Sequence, residues 1–156
     1  MIKVCRVDHR LLHGQVAFAW IKAVGADCIL IASDEVAADE LRSAALRMAK
    51  PTGTKLVIKS INDSAQAINS GVTDKYGLFI LCESIHDAYR LAKMTPAISE
   101  IDLGGAKSEA GRRGISPAVY VSDTDCDNLR ELVESGVSCY VQQVPSDPAQ
   151  DVMGLI

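Results

Sequence analysis

The sequence predicts an α/β fold: a doubly wound, mainly parallel β-sheet with helices on both faces, in three layers (α/β/α). Three observations lead there. Apolar runs of strand length alternate with segments of helical period along the whole chain. Several of the runs are continuously apolar, as strands covered on both faces should be. The joins carry helix caps, with Ser or Thr before a helix and Gly after it. At 156 residues the chain fits one domain over 1–156, with enough length for a sizeable core.

In chain order, the expected strands are residues 3–7, 28–32, 55–59, 77–82, 100–103, 118–121 and 138–142. After the first strand, Val16, Ala19, Trp20, Ala23 and Val24 recur at helical spacing and predict an amphipathic helix. Leu41, Ala45 and Met48 predict another after the second strand. Ser60, Ser84 and Thr124 each stand three residues before an Asp (Asp63, Asp87, Asp127), resembling capping boxes with Asp at the acidic position. Gly71 and Gly136 stand where the residue after a helix C-cap belongs. Residues 104–117, rich in Gly and basic side chains, read as a surface loop.

A net charge of −4 argues against nucleic acid as the partner. No apolar run reaches the ~18 residues that a membrane span needs. Arg6, Asp8 and Arg10 interrupt any signal-peptide pattern at the N-terminus, so a cytoplasmic protein is expected. The five cysteines (Cys5, Cys28, Cys82, Cys126, Cys139) are odd in number and widely spaced, which suits buried free thiols better than a disulfide framework.

The most informative segment is Arg6-Val7-Asp8-His9-Arg10-Leu11-Leu12-His13-Gly14-Gln15-Val16. A strand runs into a short charged turn, and a helix begins at His13-Gly14. Free backbone N–H groups and the helix dipole attract anions at such an end. His13 there suits a phosphoryl group that is accepted, held and passed on. One imidazole nitrogen attacks phosphorus while the other is held by a hydrogen bond that fixes the tautomer. Asp8 or a backbone carbonyl could do the holding; Asp8 could equally be a turn-capping side chain. Arg10 is the first candidate to bind phosphoryl oxygens, because a guanidinium fork matches two of them. Arg6 is placed by alternation on either face, and Gln15 could donate from the first helical turn.

The same run resembles the signature of the IIB component of the bacterial sugar phosphotransferase system, in its mannose/fructose/sorbose branch. Ser33-Asp34-Glu35-Val36-Ala37, Asp102-Leu103-Gly104-Gly105-Ala106, Gly136-Val137 and Gln143-Val144-Pro145 extend the match over nearly the whole length. The resemblance implies that His13 is the phosphorylated residue. With the chemistry above, the expected catalytic residues are His13, Arg10 and Asp8, and the expected phosphoryl-binding residues are Gly14, Gln15, Arg6 and Arg42; the family pattern favours a basic residue at Arg42, which could equally lie on a solvated helix face. The resemblance also implies a IIA component as donor, membrane IIC and IID components, a hexose-type sugar as final acceptor, and no metal or organic cofactor. His9 stands where the family commonly has a carboxylate.

Other chemistries fit less well. His9 and His13 are four apart, but the H-E-x-x-H metal spacing needs a helix and this segment is a turn. Gly104-Gly105-Ala106-Lys107-Ser108 fails the P-loop pattern, since Ala106 replaces the Gly before Lys. No G-x-G-x-x-G follows the first strand, which argues against a dinucleotide enzyme. Lys107, Arg112 and Arg113 offer a basic patch for an acidic partner surface. A non-catalytic anion-binding or regulatory module is the second function the sequence allows.

Overall fold

The structure, a computed structural model, describes residues 1–156. The elements run β1 (Ile2–Asp8), α1 (Gly14–Val24), β2 (Cys28–Ala32), α2 (Asp34–Ala37), α3 (Glu40–Ala49), β3 (Lys55–Lys59), α4 (Ile61–Asn69) and β4 (Leu78–Cys82). They continue α5 (Ile85–Met94), β5 (Glu100–Gly105), β6 (Arg113–Ser116), β7 (Val119–Val121), α6 (Asp123–Glu134), β8 (Ser138–Val141) and β9 (Gln150–Asp151). A 3-10 turn, Val152–Gly154, follows.

The main sheet has the order β3-β2-β4-β1-β5-β8-β9. Every neighbouring pair from β3 to β8 is parallel, and β9 closes the edge antiparallel to β8. Both faces are covered, which explains the continuous apolar runs. On β4, Leu78, Ile80 and Cys82 point to the face under α4, α5 and α6, while Phe79 and Leu81 point to the face under α1, α2 and α3. The first face buries 27 side chains and the second 13, so the layer under α4, α5 and α6 carries most of the core. The five cysteines are free and buried.

The structure corrects five expectations. Residues 118–121 do not join the main sheet: β7 pairs antiparallel with β6, and one bridge from Ala106 to Val119 ties this hairpin to the end of β5. β6 itself lies inside the stretch expected to be an irregular loop; local pairing satisfies its backbone groups. The stripe on α1 is turned, with Ala17, Trp20 and Ile21 buried and Ala19 exposed. On α3 only Leu46 is buried, against Val36 and the sheet, so Leu41 and Met48 face solvent at 83% and 89% exposure. Finally, α6 starts at Ser122 rather than Thr124. Ser122 directly follows β7, and Asp125 returns a bond to its N–H, completing a reciprocal capping box. Ser60 and Ser84 cap α4 and α5 as expected.

The topology also places the crevice. From β1 the chain crosses toward β2, whereas from β4 it crosses over β1 to β5. The loops at the carboxyl ends of these strands therefore diverge, which is where such sheets bind ligands. A cavity of about 540 Å³ opens there, lined by His9, Arg42, Glu83, Arg90, Lys107 and Arg112 among others.

Candidate functional site

The site is built on the turn between β1 and α1. β1 ends at Asp8, whose side chain is buried. The Arg10 N–H donates to Asp8 Oδ1 at 3.0 Å, and the Leu11 N–H donates to the Asp8 carbonyl at 2.9 Å. Asp8 thus folds the chain back on itself. The His9 N–H donates to the Gly105 carbonyl at 3.1 Å and pins the turn to β5. Leu11 takes a left-handed φ of +57°, which costs a branched residue about 1–2 kcal/mol. Burial of Leu11 and Leu12 in the cluster with Trp20 and Val36 offsets that strain. Gly14 has φ +52° with nothing within 4 Å of where a Cβ would stand. It is required by its backbone angle, and the space beside it is open.

His13 is the N-cap residue of α1, in an extended conformation, and its side chain makes no capping bond. The other five α-helices each have a Ser or Asp accepting at that place. No acidic residue lies in the first turn of α1, so its leading N–H groups face out unclaimed by any side chain. The His13 ring is turned so that Nε2 is buried, without a hydrogen-bond partner, 3.8 Å from Asp8 Oδ2. The side chain is 31% exposed, and Nδ1 lies on its open side. Burial lowers the His13 pKa below 6.5; Arg10 lowers it further, and Asp8 opposes. The imidazole is therefore mainly neutral at pH 7, as a nucleophile must be.

Arg10 is half-exposed beside it. Its Nε donates to Asp8 Oδ1 at 3.1 Å and its Nη2 to Oδ2 at 3.4 Å. Gln15 is exposed in the first turn of α1. His13, Arg10, Asp8, Gly14 and Gln15 thus come together.

Two expected phosphoryl ligands do not. Arg6 is only 1% exposed, with its guanidinium held by Asp102 and by the carbonyls of Gln142 and Gln143, both at 2.8 Å. Its position in a strand covered on both faces turns it into the protein, where it is not presented to an incoming ligand. Arg42 lines the neighbouring cavity and is paired with Glu83 at 2.6 Å. Glu83 also accepts from Ser33 at 3.1 Å, so the pair is locked into the mouth of the crevice. His9 lines that cavity too, with Nδ1 buried and unpartnered. Within the basic patch, Glu109 pairs with Lys107 at 2.9 Å and lies 3.6 Å from Arg112, while Arg113 turns to Cys126 on α6. The patch is therefore partly neutralised from within.

Sequence reasoning missed Asp102, Gly104 and Gly105 as parts of the site. Asp102 is fully buried in β5 beside Arg6. A side chain at Gly104 would overlap the Arg6 guanidinium, and a Cβ at Gly105 would stand 3.0 Å from Asp8 Oδ1. The signal was present: an acid inside an apolar strand, with two glycines one residue further on. No group of three or more His, Cys, Asp or Glu side chains is arranged to hold a metal ion. No helix is long and apolar enough to cross a membrane.

A neutral imidazole with one open nitrogen, a carboxylate behind the other, a guanidinium at the rim and an uncapped helix start can accept and release a phosphoryl group. Comparison with known proteins agrees. The family model for the sorbose subfamily IIB component of the phosphotransferase system (PTS) matches residues 2–156. The fructose-specific EIIB component of Bacillus subtilis is 30% identical over 99% of this chain and 95% of its own. The mannose-specific EIIAB component of Escherichia coli is 32% identical over the whole of this chain, which spans 48% of that longer protein. The crystal structure of the IIB domain of the Klebsiella pneumoniae sorbose permease superposes with a TM-score of 0.93 at 30% identity, covering 99% of this chain and 94% of that one. Sequence, fold and site converge, and the chain belongs to the sorbose subfamily of IIB components of the sugar phosphotransferase system.

Proposed function

We propose that this chain, as one phosphocarrier domain over residues 1–156, accepts a phosphoryl group on His13 Nδ1 from a phosphohistidine of a IIA component. It then passes the group to a hexose-type sugar presented by membrane IIC and IID components, working from the cytoplasmic side. Members of the family act as phosphotransferases in sugar uptake. The observation that carries the finer reading is the setting of one side chain: Nδ1 of His13 is open beside an uncapped helix start while Nε2 faces Asp8 at 3.8 Å. The Escherichia coli relative, whose name joins A and B parts, supports a IIA donor.

In the first step the Nδ1 lone pair attacks phosphorus, and the bond from phosphorus to the donor imidazole breaks. The donor leaves with that electron pair. As the new N–P bond forms, positive charge develops on the His13 ring and its Nε2–H faces the Asp8 carboxylate. The phosphoryl oxygens, carrying roughly two negative charges, meet the Arg10 guanidinium and the leading N–H groups of α1. In the second step a sugar hydroxyl attacks phosphorus and gives its proton to water or to a base of the sugar-presenting component, and the N–P bond breaks with its electron pair returning to Nδ1 of neutral His13. Positioning and electrostatics supply the catalysis, so neither a metal nor an organic cofactor is needed.

The test is incubation with a phosphoenolpyruvate-driven relay and its IIA component, followed by intact mass. One acid-labile phosphate is expected on the parent and none on His13→Ala. A labelled His13→Ala variant would refute the assignment. Reversible anion binding without any covalent label would make the chain a binding module instead.

A further inference from the structure

We propose that Asp102, acting through the buried guanidinium of Arg6, is a positioning residue that keeps Asp8 aimed at His13 Nε2. The inference rests on the reading of His13 as the reacting side chain. Arg6 and Asp102 are register partners on neighbouring parallel strands β1 and β5. Asp102 Oδ2 accepts from Arg6 Nη1, and Oδ1 accepts the Gln142 N–H at 2.9 Å. Arg6 Nη2 donates to the Gln143 carbonyl and lies 3.6 Å from Asp8 Oδ2. The guanidinium also stacks 4.9 Å from the Trp20 ring of α1, and Trp20 Nε1 donates to the same Gln143 carbonyl at 3.0 Å. One buried cation therefore ties together β1, β5, the segment after β8 and the helix that carries His13 at its start.

Stability alone gives weak reason for such a cluster. Apolar side chains of similar volume in place of a buried ion pair are often as stable or more so. The arrangement instead accounts for how Asp8 is left available. Asp102 engages Nη1 of Arg6, so Arg6 stands 3.6 Å from Asp8 instead of closing on it as a two-pronged pair. Asp8 Oδ2, which also accepts from Arg10 Nη2 at 3.4 Å, stays turned to His13 at 3.8 Å. Gly104 and Gly105 make the seat: the first leaves room for the guanidinium and the second for the Asp8 carboxylate. Burial pushes the Asp102 carboxyl up to about 7, against Arg6 and the Gln142 N–H, so its charge is held mainly by these partners. Removing that charge would free Arg6 to close on Asp8 and draw Oδ2 away from the imidazole.

The experiment uses the intact unphosphorylated chain. Imidazole 15N spectra read the His13 tautomer and pKa, and phosphoryl transfer from phospho-IIA reads the rate. The parent is expected to hold the Nε2–H tautomer. Folded Asp102→Asn is expected to show mixed tautomers and a lower His13 pKa, because Arg6 already depresses it and would be less compensated. The kcat for transfer should fall about 10-fold, the lower range for losing a group that only orients a reacting side chain. The KM for phospho-IIA should stay within about twofold, since no docking surface changes. A purely structural Asp102 would lower the melting temperature and leave the imidazole spectrum as in the parent, and that result overturns the proposal. If Asp102→Asn does not fold, Arg6→Lys, which keeps the charge and removes the fork, is read the same way. Failure of both to fold also overturns it, because the cluster would then serve the core. A tautomer shift in Asp102→Asn, beside a parent that takes no phosphate, would uphold this coupling and sink the phosphocarrier reading.

Discussion

Replacing Asp8 with Asn isolates the charge behind the imidazole. The amide keeps an oxygen to accept the Arg10 N–H, so the turn survives. What disappears is the negative charge 3.8 Å from His13 Nε2. Positive charge develops on the ring as Nδ1 bonds to phosphorus, so the lost term is a charge–charge attraction in the transition state. At this distance it amounts to about 4 kcal/mol at an effective dielectric of 20 and about 1 kcal/mol in water. With His13 nearly one-third exposed, a screened value of about 2 kcal/mol is appropriate, which slows transfer roughly 30-fold. The amide N–H₂ could also donate to Nε2 and put the ring proton on Nδ1, where it blocks attack. The assay is rapid-quench labelling with phosphorylated IIA, with circular dichroism to confirm the fold. Transfer within twofold of the parent in a folded Asp8→Asn protein would refute the orienting role.

Arg10→Gln should also slow transfer by about 30-fold, one charge-assisted contact of about 2 kcal/mol, with the melting temperature nearly unchanged at this half-exposed position. A large melting shift with an unaltered rate would instead make Arg10 part of the turn's scaffold. Arg6→Met should destabilise by about 3–5 kcal/mol in urea titrations, because it strands Asp102 and Asp8 without their buried cation. A loss under 1 kcal/mol would contradict that accounting. The transfer rate should fall to half only below pH 6.5, since the folded His13 pKa lies under the free value and the neutral ring persists to lower pH. The linked stability term has the same sign: the unfolded ring takes up its proton first, so His13 disfavours folding as pH drops through 6.5. A rate that already halves above pH 6.5 would place the reacting group elsewhere.

The alternation of apolar runs with helical segments determined the layered parallel sheet, because strands buried on both faces must be apolar throughout. The Arg6 to Val16 motif likewise determined that a histidine stands at a helix start with Arg10 and Asp8 nearby, since those neighbours are local in the chain. Non-local placement was decided only by the tertiary structure. Arg6 and Arg10 look alike in sequence, yet one is buried between Asp102 and the Gln142 and Gln143 carbonyls and the other stands at the rim. Arg42 has the right charge but is committed to Glu83, 41 residues away. Asp102 lies 96 residues from Arg6, so no local pattern could pair them, though Gly104 and Gly105 after it marked a close approach. The tautomer-setting face of His13 was decided in the same way. Periodicity reports which side of an element is buried, while the partner of a charge is chosen by strands that meet only when the sheet assembles.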